Sequence, residues 1–267
     1  MAIANRGIRA CMKAMPARRL TRLMMVLALL PLAGACSDDD GGHQAAGTFR
    51  TAGSGDRVVI ATDNGLRLRP ADGPGVTVDD RVDERWSHRG KVWTLDLSCA
   101  DRTTGDEGCP RMPYVEIPDG VSVTATARNA GVDVAGVAAA LDITTVNGDV
   151  TVTRSGRDDA DVRLSTRNGS VRATSVAAQR VHAATTNGDV VVGCAAVPSG
   201  VSAATVNGSV DVTVPHDSPP YRVTAATDNG RATVAVPAQR ADRNHTMTLT
   251  TVNGDVDARR AAPAGKS

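Results

Sequence analysis

One seven-residue string, TTVNGDV, occurs twice without change, at residues 144–150 and again at 250–256. Close copies lie between them: STRNGSV at 165–171, ATTNGDV at 184–190 and ATVNGSV at 204–210. From Asn129 onward, the turns in these strings follow one another at intervals of 18 to 24 residues. Such a repeat is typical of architectures in which each unit packs only against its neighbours.

The residues on either side of each Asn-Gly turn alternate between apolar and polar. Leu141 and Ile143 precede the turn at Asn147, and Val150 and Val152 follow it, with polar residues at most intervening positions. This alternation predicts two half-buried strands per repeat, one before and one after the turn. No segment after the N-terminal region shows helical periodicity, so we expect an all-β fold.

A threonine stands two residues before every Asn-Gly turn. In each repeat, Thr and Asn fall on the same alternate positions as the apolar residues. The proposed structural ladder consists of Thr145, Asn147, Thr166, Asn168, Thr185, Asn187, Thr205, Asn207, Thr227, Asn229, Thr251 and Asn253. Asn-Gly is the preferred type I′ hairpin turn, so an antiparallel β-meander is one interpretation. The other is a right-handed parallel β-solenoid with rungs of about 20 residues, in which Asn-Gly forms a corner between two sheets.

The fixed Thr offset favours the solenoid. Identical residues of successive rungs then stack about 4.8 Å apart, and inward Asn amides bond one another while Thr hydroxyls bond the neighbouring backbone. If the rungs stack in chain order, Asn187 lies inside the stack and Asn253 near its end. A hairpin gives no reason for the Thr, so the meander is kept as the alternative.

The N-terminal 35 residues have the features of a bacterial export signal. They contain six basic residues and no acid, and an apolar run from Leu23 to Leu32 precedes the small residues Ala33-Gly34-Ala35 and Cys36. The run is about half the roughly 20 residues that a membrane span needs. We therefore expect 1–35 to be a lipoprotein signal peptide and Cys36 to be acylated, which predicts an extracytoplasmic protein anchored to the lipid bilayer. Whether export follows the general or the twin-arginine route stays open.

Composition limits the partners of the mature chain. It keeps all 29 acidic and 24 of the 30 basic residues, so its formal charge is −5, and we expect no binding to nucleic acid. Residues 36–49 are polar and predict a flexible tether, residues 50–260 form the β-strand-repeat domain, and 261–267 predict a disordered tail. Cys194 follows an apolar run and is expected to be a buried, inert thiol.

Residues 69–120 interrupt the repeat. They contain Trp86, Trp93 and all three glutamates, as well as Cys99 and Cys109, which we expect to form a disulfide around a loop of about ten residues. One interpretation is a cap in which both tryptophans cover the exposed end of the stack. The alternative is a binding surface built on Trp86 and Trp93.

The signal, the T-x-N-G-[DS]-V units, Ile117-Pro118-Asp119-Gly120 and the step Pro219-Pro220-Tyr221-Arg222-Val223 together resemble a bacterial family of β-strand-repeat domains of unknown function. Members of that family are described as adhesin domains and include lipoproteins. The resemblance covers about residues 50–260 and implies a β-solenoid outside the cytoplasmic membrane, with no known activity. The chain departs from the pattern at Asn64, whose following arm is one residue out of step, and at Asn129, which lacks the preceding Thr.

Nothing in the sequence indicates catalysis or a cofactor. Asp149, Asp189 and Asp255 recur two residues after Asn, alternating with Ser170 and Ser209, which predicts turn chemistry rather than a calcium or sugar site. The histidines have no metal-ligand spacing, and His182 is expected to be a solvated residue on a strand.

We therefore expect a non-catalytic, adhesin-like surface scaffold that binds cell-wall polymer or a membrane protein. An accessory lipoprotein in envelope-stress signalling is the alternative, and a polysaccharide-acting enzyme comes third.

Overall fold

The computed structural model describes residues 50–53, 55–97, 112–239 and 244–263. The predicted signal peptide, the tether with Cys36, and the pair Cys99 and Cys109 lie outside these residues. Within the described part of the chain no helix has the length and apolar character that crossing a membrane requires.

The described residues form twenty β-strands. In chain order these are β1 Arg50–Thr51, β2 Arg57–Thr62, β3 Leu66–Pro70, β4 Gly75–Val78, β5 Arg85–Arg89, β6 Val92–Asp96, β7 Tyr114–Ile117, β8 Ser122–Ala127, β9 Val132–Ala135, β10 Leu141–Thr145, β11 Val150–Thr153, β12 Gly156–Ser165, β13 Val171–Ala184, β14 Val190–Cys194, β15 Gly200–Ala204, β16 Val210–Val214, β17 Arg222–Asn229, β18 Ala232–Val234, β19 Thr246–Asn253 and β20 Val256–Arg260.

Each repeat contributes one strand to each of two sheets that meet at the Asn-Gly corner. We call the sheet built from the strands before the corner the first sheet, the other the second sheet, and one strand of each a rung. Neighbouring rungs pair in parallel and in register: Val162 lies opposite Leu141 in the first sheet, and Val171 lies opposite Val150 in the second. The long strand β13 crosses from the second sheet into the first.

The fold is therefore all-β, largely parallel and solenoid-like, and the antiparallel meander is wrong. Antiparallel pairing among the described residues is confined to β1 with β4, β4 with β7 and β5 with β6. The physical reason is the corner. Because Asn-Gly directs the chain into a second sheet, the two arms of a repeat pair with other repeats rather than with each other.

The rungs do not stack in chain order at either end. The last rung along the chain, β19/β20, lies between β15/β16 and β17/β18, so β17/β18 is the terminal rung. At the other end β2/β3 lies between β8/β9 and β6/β7. The expectation that Asn253 lies near the end of the stack is therefore wrong, and Asn229 has that place.

The core is a narrow column of medium-sized side chains between the two sheets. In the first sheet one such column is formed by Val123, Leu141, Val162, Val181, Val201 and Met247, which are at most 3% exposed. Fully burying each large side chain stabilises the fold by about 1.5–3 kcal/mol, which a rung can gain only with neighbours on both sides. This is why the rungs fold as a stack.

The interruption at 69–120 is partly a rung itself. Residues 69 and 70 belong to β3, while β6 pairs in parallel with β2 and β7 with β3. Strand β5 then continues the first sheet in antiparallel orientation. Trp86 and Trp93 are partly buried against the core at this end, with ring centroids 6.4 Å apart in an edge-to-face arrangement.

A buried carboxylate stabilises the end of β4. The side chain of Asp79 is 1% exposed, and Arg81 donates hydrogen bonds from Nε to Oδ1 at 2.9 Å and from its terminal nitrogen to Oδ2 at 2.8 Å. These bonds hold the pKa of Asp79 below its usual value, although burial acts in the opposite direction. The pair closes the turn that leads from the second sheet towards β5.

Candidate binding surface

The corner asparagines form one continuous amide ladder. The order along the stack is Asn147, Asn168, Asn187, Asn207, Asn253 and Asn229, and from Asn168 onward each Nδ2 donates to the Oδ1 of the residue before it in this order at 2.8–2.9 Å. The amides are exposed at the corner, whereas the sequence parity had predicted that they point inward. The expectation of a buried ladder is therefore wrong, because the corner breaks the alternation of side chains that holds within each strand.

The threonines two residues earlier are the inward-facing part of the corner. Thr145, Thr166, Thr185, Thr205 and Thr251 are 2–7% exposed, and Thr227, on the terminal rung, is partly buried. Their hydroxyls donate at 2.8–2.9 Å to backbone carbonyls of the adjacent rung, which are Ala130, Gly148, Gly169, Gly188, Gly208 and Gly254. A buried hydroxyl must be bonded, so this partner explains the fixed spacing of Thr and Asn-Gly.

The corner glycines are required by conformation and by space. At Gly188 the backbone has a φ of +140°, and an added Cβ would lie 2.2 Å from the carbonyl oxygen of Gly169. Gly208 repeats this geometry one rung further along, 2.1 Å from the carbonyl oxygen of Gly188. Rungs can therefore approach closely at the corner only because these residues lack a side chain.

The aspartates after the corner bond the backbone of the next rung. The Oδ1 atoms of Asp149 and Asp189 accept from the N–H groups of Ser170 and Ser209 at 2.7 and 2.9 Å, and the Ser209 hydroxyl accepts from the N–H of Asp255 at 3.1 Å. Charged and neutral residues alternate along the stack, which avoids repulsion between neighbouring carboxylates. No group of residues suited to holding a metal ion occurs in the described ranges.

The polar groups of the ladder bond one another, and a separate accessible surface is the outer face of the first sheet. Its row nearest the corner consists of small residues, which are Thr126, Thr144, Ser165, Ala184, Ala204 and Thr250. The next row contains charged and hydrogen-bonding residues, which are Thr124, Asp142, Arg163, His182, Ser202 and Thr248. Strands with small, evenly spaced outer side chains give a flat face that a long ligand can follow.

Two adjoining hollows lie along this face. One, of about 230 Å³, extends from Asp161 to Thr248, and the other, of about 160 Å³, extends from Arg57 to Arg163. Asp161 and Arg163 line both, so the hollows form one groove across the rungs. We call this feature the outer groove.

The charged residues that line the outer groove have a net positive charge. Arg180 donates to Asp161 at 2.9 Å, which leaves Arg57 and Arg163 against Asp142 among the other charged lining residues. Burial and the nearby Arg163 lower the pKa of His182, so its neutral form is favoured near neutral pH. The groove can therefore offer guanidinium donors, an imidazole and hydroxyls to a polar or anionic ligand.

The tryptophans of the interruption occupy a less accessible site. His88 stacks on Trp93 with ring centroids 3.8 Å apart, and the Trp86 Nε1 donates to Glu84 at 2.8 Å. Both rings pack against the core while remaining partly exposed. Trp86 lies on β5 and Trp93 on β6, which are the last strands of the first sheet at this end.

Two titratable groups lie in the second half of the chain, Cys194 partly buried and Tyr221 fully buried. Burial raises the pKa of the Cys194 thiol to about 12, and it raises that of the Tyr221 phenol to about 12 as well. The Tyr221 hydroxyl donates to the carbonyl of Pro198 at 3.0 Å. A thiol with this pKa stays protonated and is a poor nucleophile, which agrees with an inert structural role.

The fold and its corner chemistry define a class, the all-β repeat proteins in which parallel rungs are joined by an asparagine ladder. Residues 101–260 match the sequence model of the family described as Toastrack DUF4097, which is more than half of the chain, and the chain belongs to that family. The resemblance found in the sequence is thereby confirmed. No curated protein matches this chain.

Two solved structures are similar to this chain at low sequence identity. A putative cell adhesion protein from Clostridium sporogenes shares 8% identity and has a TM-score of 0.37, covering 82% of this chain and 100% of its own. A putative adhesin from Bacteroides fragilis shares 10% identity and has a TM-score of 0.39, covering 80% of this chain and 96% of its own.

Sequence reasoning missed the outer groove. It treated His182 as an isolated solvated residue and did not align the outward positions of different repeats. Asp142, Arg163 and His182 each lie one residue before the inward-facing Ile143, Leu164 and Ala183, and five residues before the corner asparagine of their repeat. Aligning the repeats on Asn would have brought these three residues together.

Proposed function

We propose that this protein is a non-catalytic, adhesin-like scaffold whose outer groove binds a polymer of the cell wall. The observation that carries the proposal is the groove itself, which crosses several rungs and repeats polar groups at the strand spacing of about 4.8 Å. A linear polymer rich in hydroxyl and carboxylate groups has complementary chemistry, because arginine and serine or threonine side chains donate to both.

The proposal includes attachment to the bilayer through acylated Cys36 and a location outside the cytoplasm. The support for it is the small-residue sequence before Cys36 and the polar segment 36–49. A polar segment of this length would let the groove reach a wall polymer from the membrane surface. We also propose that the rungs follow a right-handed path, as about 98% of crossover connections between parallel strands do.

Cosedimentation with purified cell-wall sacculi tests the proposal. The variant Arg163→Glu reverses a charge in the outer groove, and Arg67→Glu makes the same change at an exposed position on the outer face of the second sheet. We expect the parent and Arg67→Glu to cosediment and Arg163→Glu to bind at least tenfold more weakly, which corresponds to about 1.4 kcal/mol. Failure of the parent to cosediment, or equal binding by the two variants, would contradict the proposal.

A further inference from the structure

The outer groove continues onto the last two strands of the first sheet. A third hollow, of about 460 Å³, is lined by residues of β5 and β6, which are Ser87, His88, Arg89, Val92 and Thr94. It adjoins the outer groove, because Val92 lies opposite Arg57 on the neighbouring strand β2. Together the three hollows cross nine neighbouring strands from β5 to β19, a length of about 38 Å at the usual strand spacing. We call this feature the extended groove.

Three arginines of the extended groove have no anionic partner within the described ranges. The side chains of Arg57, Arg89 and Arg163 are exposed, and none of them forms an ion pair or donates a hydrogen bond to another described residue. On the outer face of the second sheet most arginines are paired, at 2.7–3.3 Å, as Arg69 with Asp133, Arg172 with Asp149 and Arg259 with Asp211. The extended groove therefore leaves three guanidinium groups available to an anionic ligand.

The spacing of these arginines requires a ligand with several charges. Arg89 and Arg57 are two strands apart, which corresponds to about 10 Å, and Arg57 and Arg163 are three strands apart, about 14 Å. The whole set thus spans about 24 Å, more than one small anion can bridge. A chain with anionic groups repeated along its length can bond all three at once, and the linkage between its charges raises the affinity above that of a single group.

The extended groove offers no aromatic platform for a sugar ring. Trp86 and Trp93 pack against the core, Tyr221 is fully buried, and Tyr114 belongs to the second sheet. In the part of the chain that the structure describes, no Trp, Tyr or Phe lines any of the three hollows. Pyranose rings have apolar C–H faces that aromatic side chains can cover, whereas open-chain polyols present hydroxyl groups along their whole length. The lining therefore suits an open-chain polymer better than a chain of sugar rings.

We infer that the ligand of the extended groove is a polyol phosphate, a polymer of open-chain polyols joined by phosphodiesters, whose phosphates bond Arg57, Arg89 and Arg163. The inference rests on the proposed function, because it names the chemical class of the wall polymer. Guanidinium groups bind phosphate through paired, charge-assisted hydrogen bonds. The hydroxyls of Ser122 and Thr124, on the strand after Arg57, can donate to the polyol units between phosphates.

Isothermal titration of the purified full-length protein with poly(glycerol phosphate) tests the role of the arginines. Arg57→Gln, Arg89→Gln and Arg163→Gln should each weaken binding about tenfold and lower the slope of log affinity against log salt by about one. Arg67→Gln, at an exposed and unpaired position on the outer face of the second sheet, is the matched control and should change neither. Asp142→Asn removes the acid opposite Arg163 and should strengthen binding.

Two results of the titration overturn the inference. One is that the parent protein does not bind poly(glycerol phosphate). The other is that the three groove variants bind it as tightly as Arg67→Gln does. A chain of glucuronic acid carries carboxylates on sugar rings, so binding of polyglucuronate as tight as that of poly(glycerol phosphate) also overturns it.

Cosedimentation with two kinds of sacculi separates this inference from the proposed function. Hydrofluoric acid cleaves phosphodiesters and leaves the peptidoglycan, so treated sacculi should bind the protein at least tenfold more weakly than intact sacculi. Equal binding to both kinds overturns the polyol phosphate and leaves the proposed function standing, whereas absence of binding to intact sacculi contradicts the proposed function. Vesicles of phosphatidylglycerol present phosphodiesters on a membrane instead, and binding to them that depends on Arg57 and Arg163 as strongly as polymer binding does overturns the assignment to a polymer.

Discussion

At the scale of single residues, the Asn-Gly corner joins rungs by three kinds of bond. The exposed amide of Asn187 bonds the rungs on both sides, the buried hydroxyl of Thr185 bonds the carbonyl of Gly169, and Asp189 accepts from the N–H of Ser209. Since the amides are exposed, removing one leaves no polar group stranded in the core. The loss should therefore be close to the net value of about 0.5–1.5 kcal/mol for each hydrogen bond.

The asparagine ladder predicts a graded series of substitutions. Asn187→Ala and Asn253→Ala each remove two amide bonds and should lower the free energy of unfolding by about 1–3 kcal/mol. Asn229→Ala removes one such bond on the terminal rung and should cost about half as much. Equilibrium denaturation measures the differences, and a larger loss at Asn187 than at Asn253 would favour stacking in chain order instead.

The close approach of rungs predicts a second effect at the corner. Gly188→Ala places a Cβ 2.2 Å from the carbonyl oxygen of Gly169 and also requires a φ that side chains rarely adopt. Gly193→Ala is the matched control, because its nearest neighbour would be 3.7 Å away and no unusual φ is needed. We expect a large loss of thermal stability for Gly188→Ala and little change for Gly193→Ala; similar melting temperatures would contradict this.

At the scale of elements, the stack depends on how its last strands are finished. Strand β5 closes the first sheet through antiparallel pairing and the packed rings of Trp86 and Trp93, while β4 closes the second. Asp79 and Arg81 fix the turn after β4. This end therefore includes a buried carboxylate that is paired with an exposed guanidinium, unlike the Val and Thr columns of the interior.

The Asp79–Arg81 pair predicts a pH dependence of stability. Because the folded state lowers the pKa of Asp79 below 3.8, its contribution is complete above that value and is lost as pH falls through the lower, folded-state pKa. Asp79→Asn should destabilise the protein at neutral pH and reduce the loss of melting temperature on acidification. Asp159→Asn removes a similar pair whose carboxylate is 72% exposed, so its effect should be small.

If Asp79→Asn and Asp159→Asn have the same effect at neutral pH, the pair formed by the buried Asp79 carboxylate and Arg81 does not stabilise the turn. Thermal unfolding followed by circular dichroism at neutral pH and at pH values below 3.8 distinguishes the two outcomes.

At the scale of the whole molecule, the stack presents one polar groove across several rungs. We predict that the acyl group on Cys36 holds the stack at the membrane. Cys36→Ser should therefore release the protein from the membrane fraction or stop its processing. Fractionation of host cells with immunoblotting measures this, and Cys194→Ser is the control because that thiol is packed against the core. Equal membrane partitioning of the parent and Cys36→Ser contradicts lipid anchoring.

The sequence by itself determined the rung. Alternation in Leu141–Thr145 and Val150–Thr153, with Thr two residues before Asn-Gly, specified two strands, a corner and the partner of the buried hydroxyl. The strands and the corner depend on residues close along the chain, and the partner of the hydroxyl depends on a similar rung stacked beside it. They could be predicted because every repeat has the same residue types at the same positions relative to its Asn-Gly turn.

Only the tertiary structure decided which rungs are neighbours. Since all rungs have nearly the same profile, β17/β18 and β19/β20 could each stack on β15/β16, and pattern alone cannot choose between them. Among the turns from Asn129 onward, the widest spacing lies between Asn229 and Asn253, where the last rung crosses over its predecessor. The exposure of the Asn amides was likewise decided in three dimensions, because the turn of the backbone at the corner ends the alternation that sequence parity assumes.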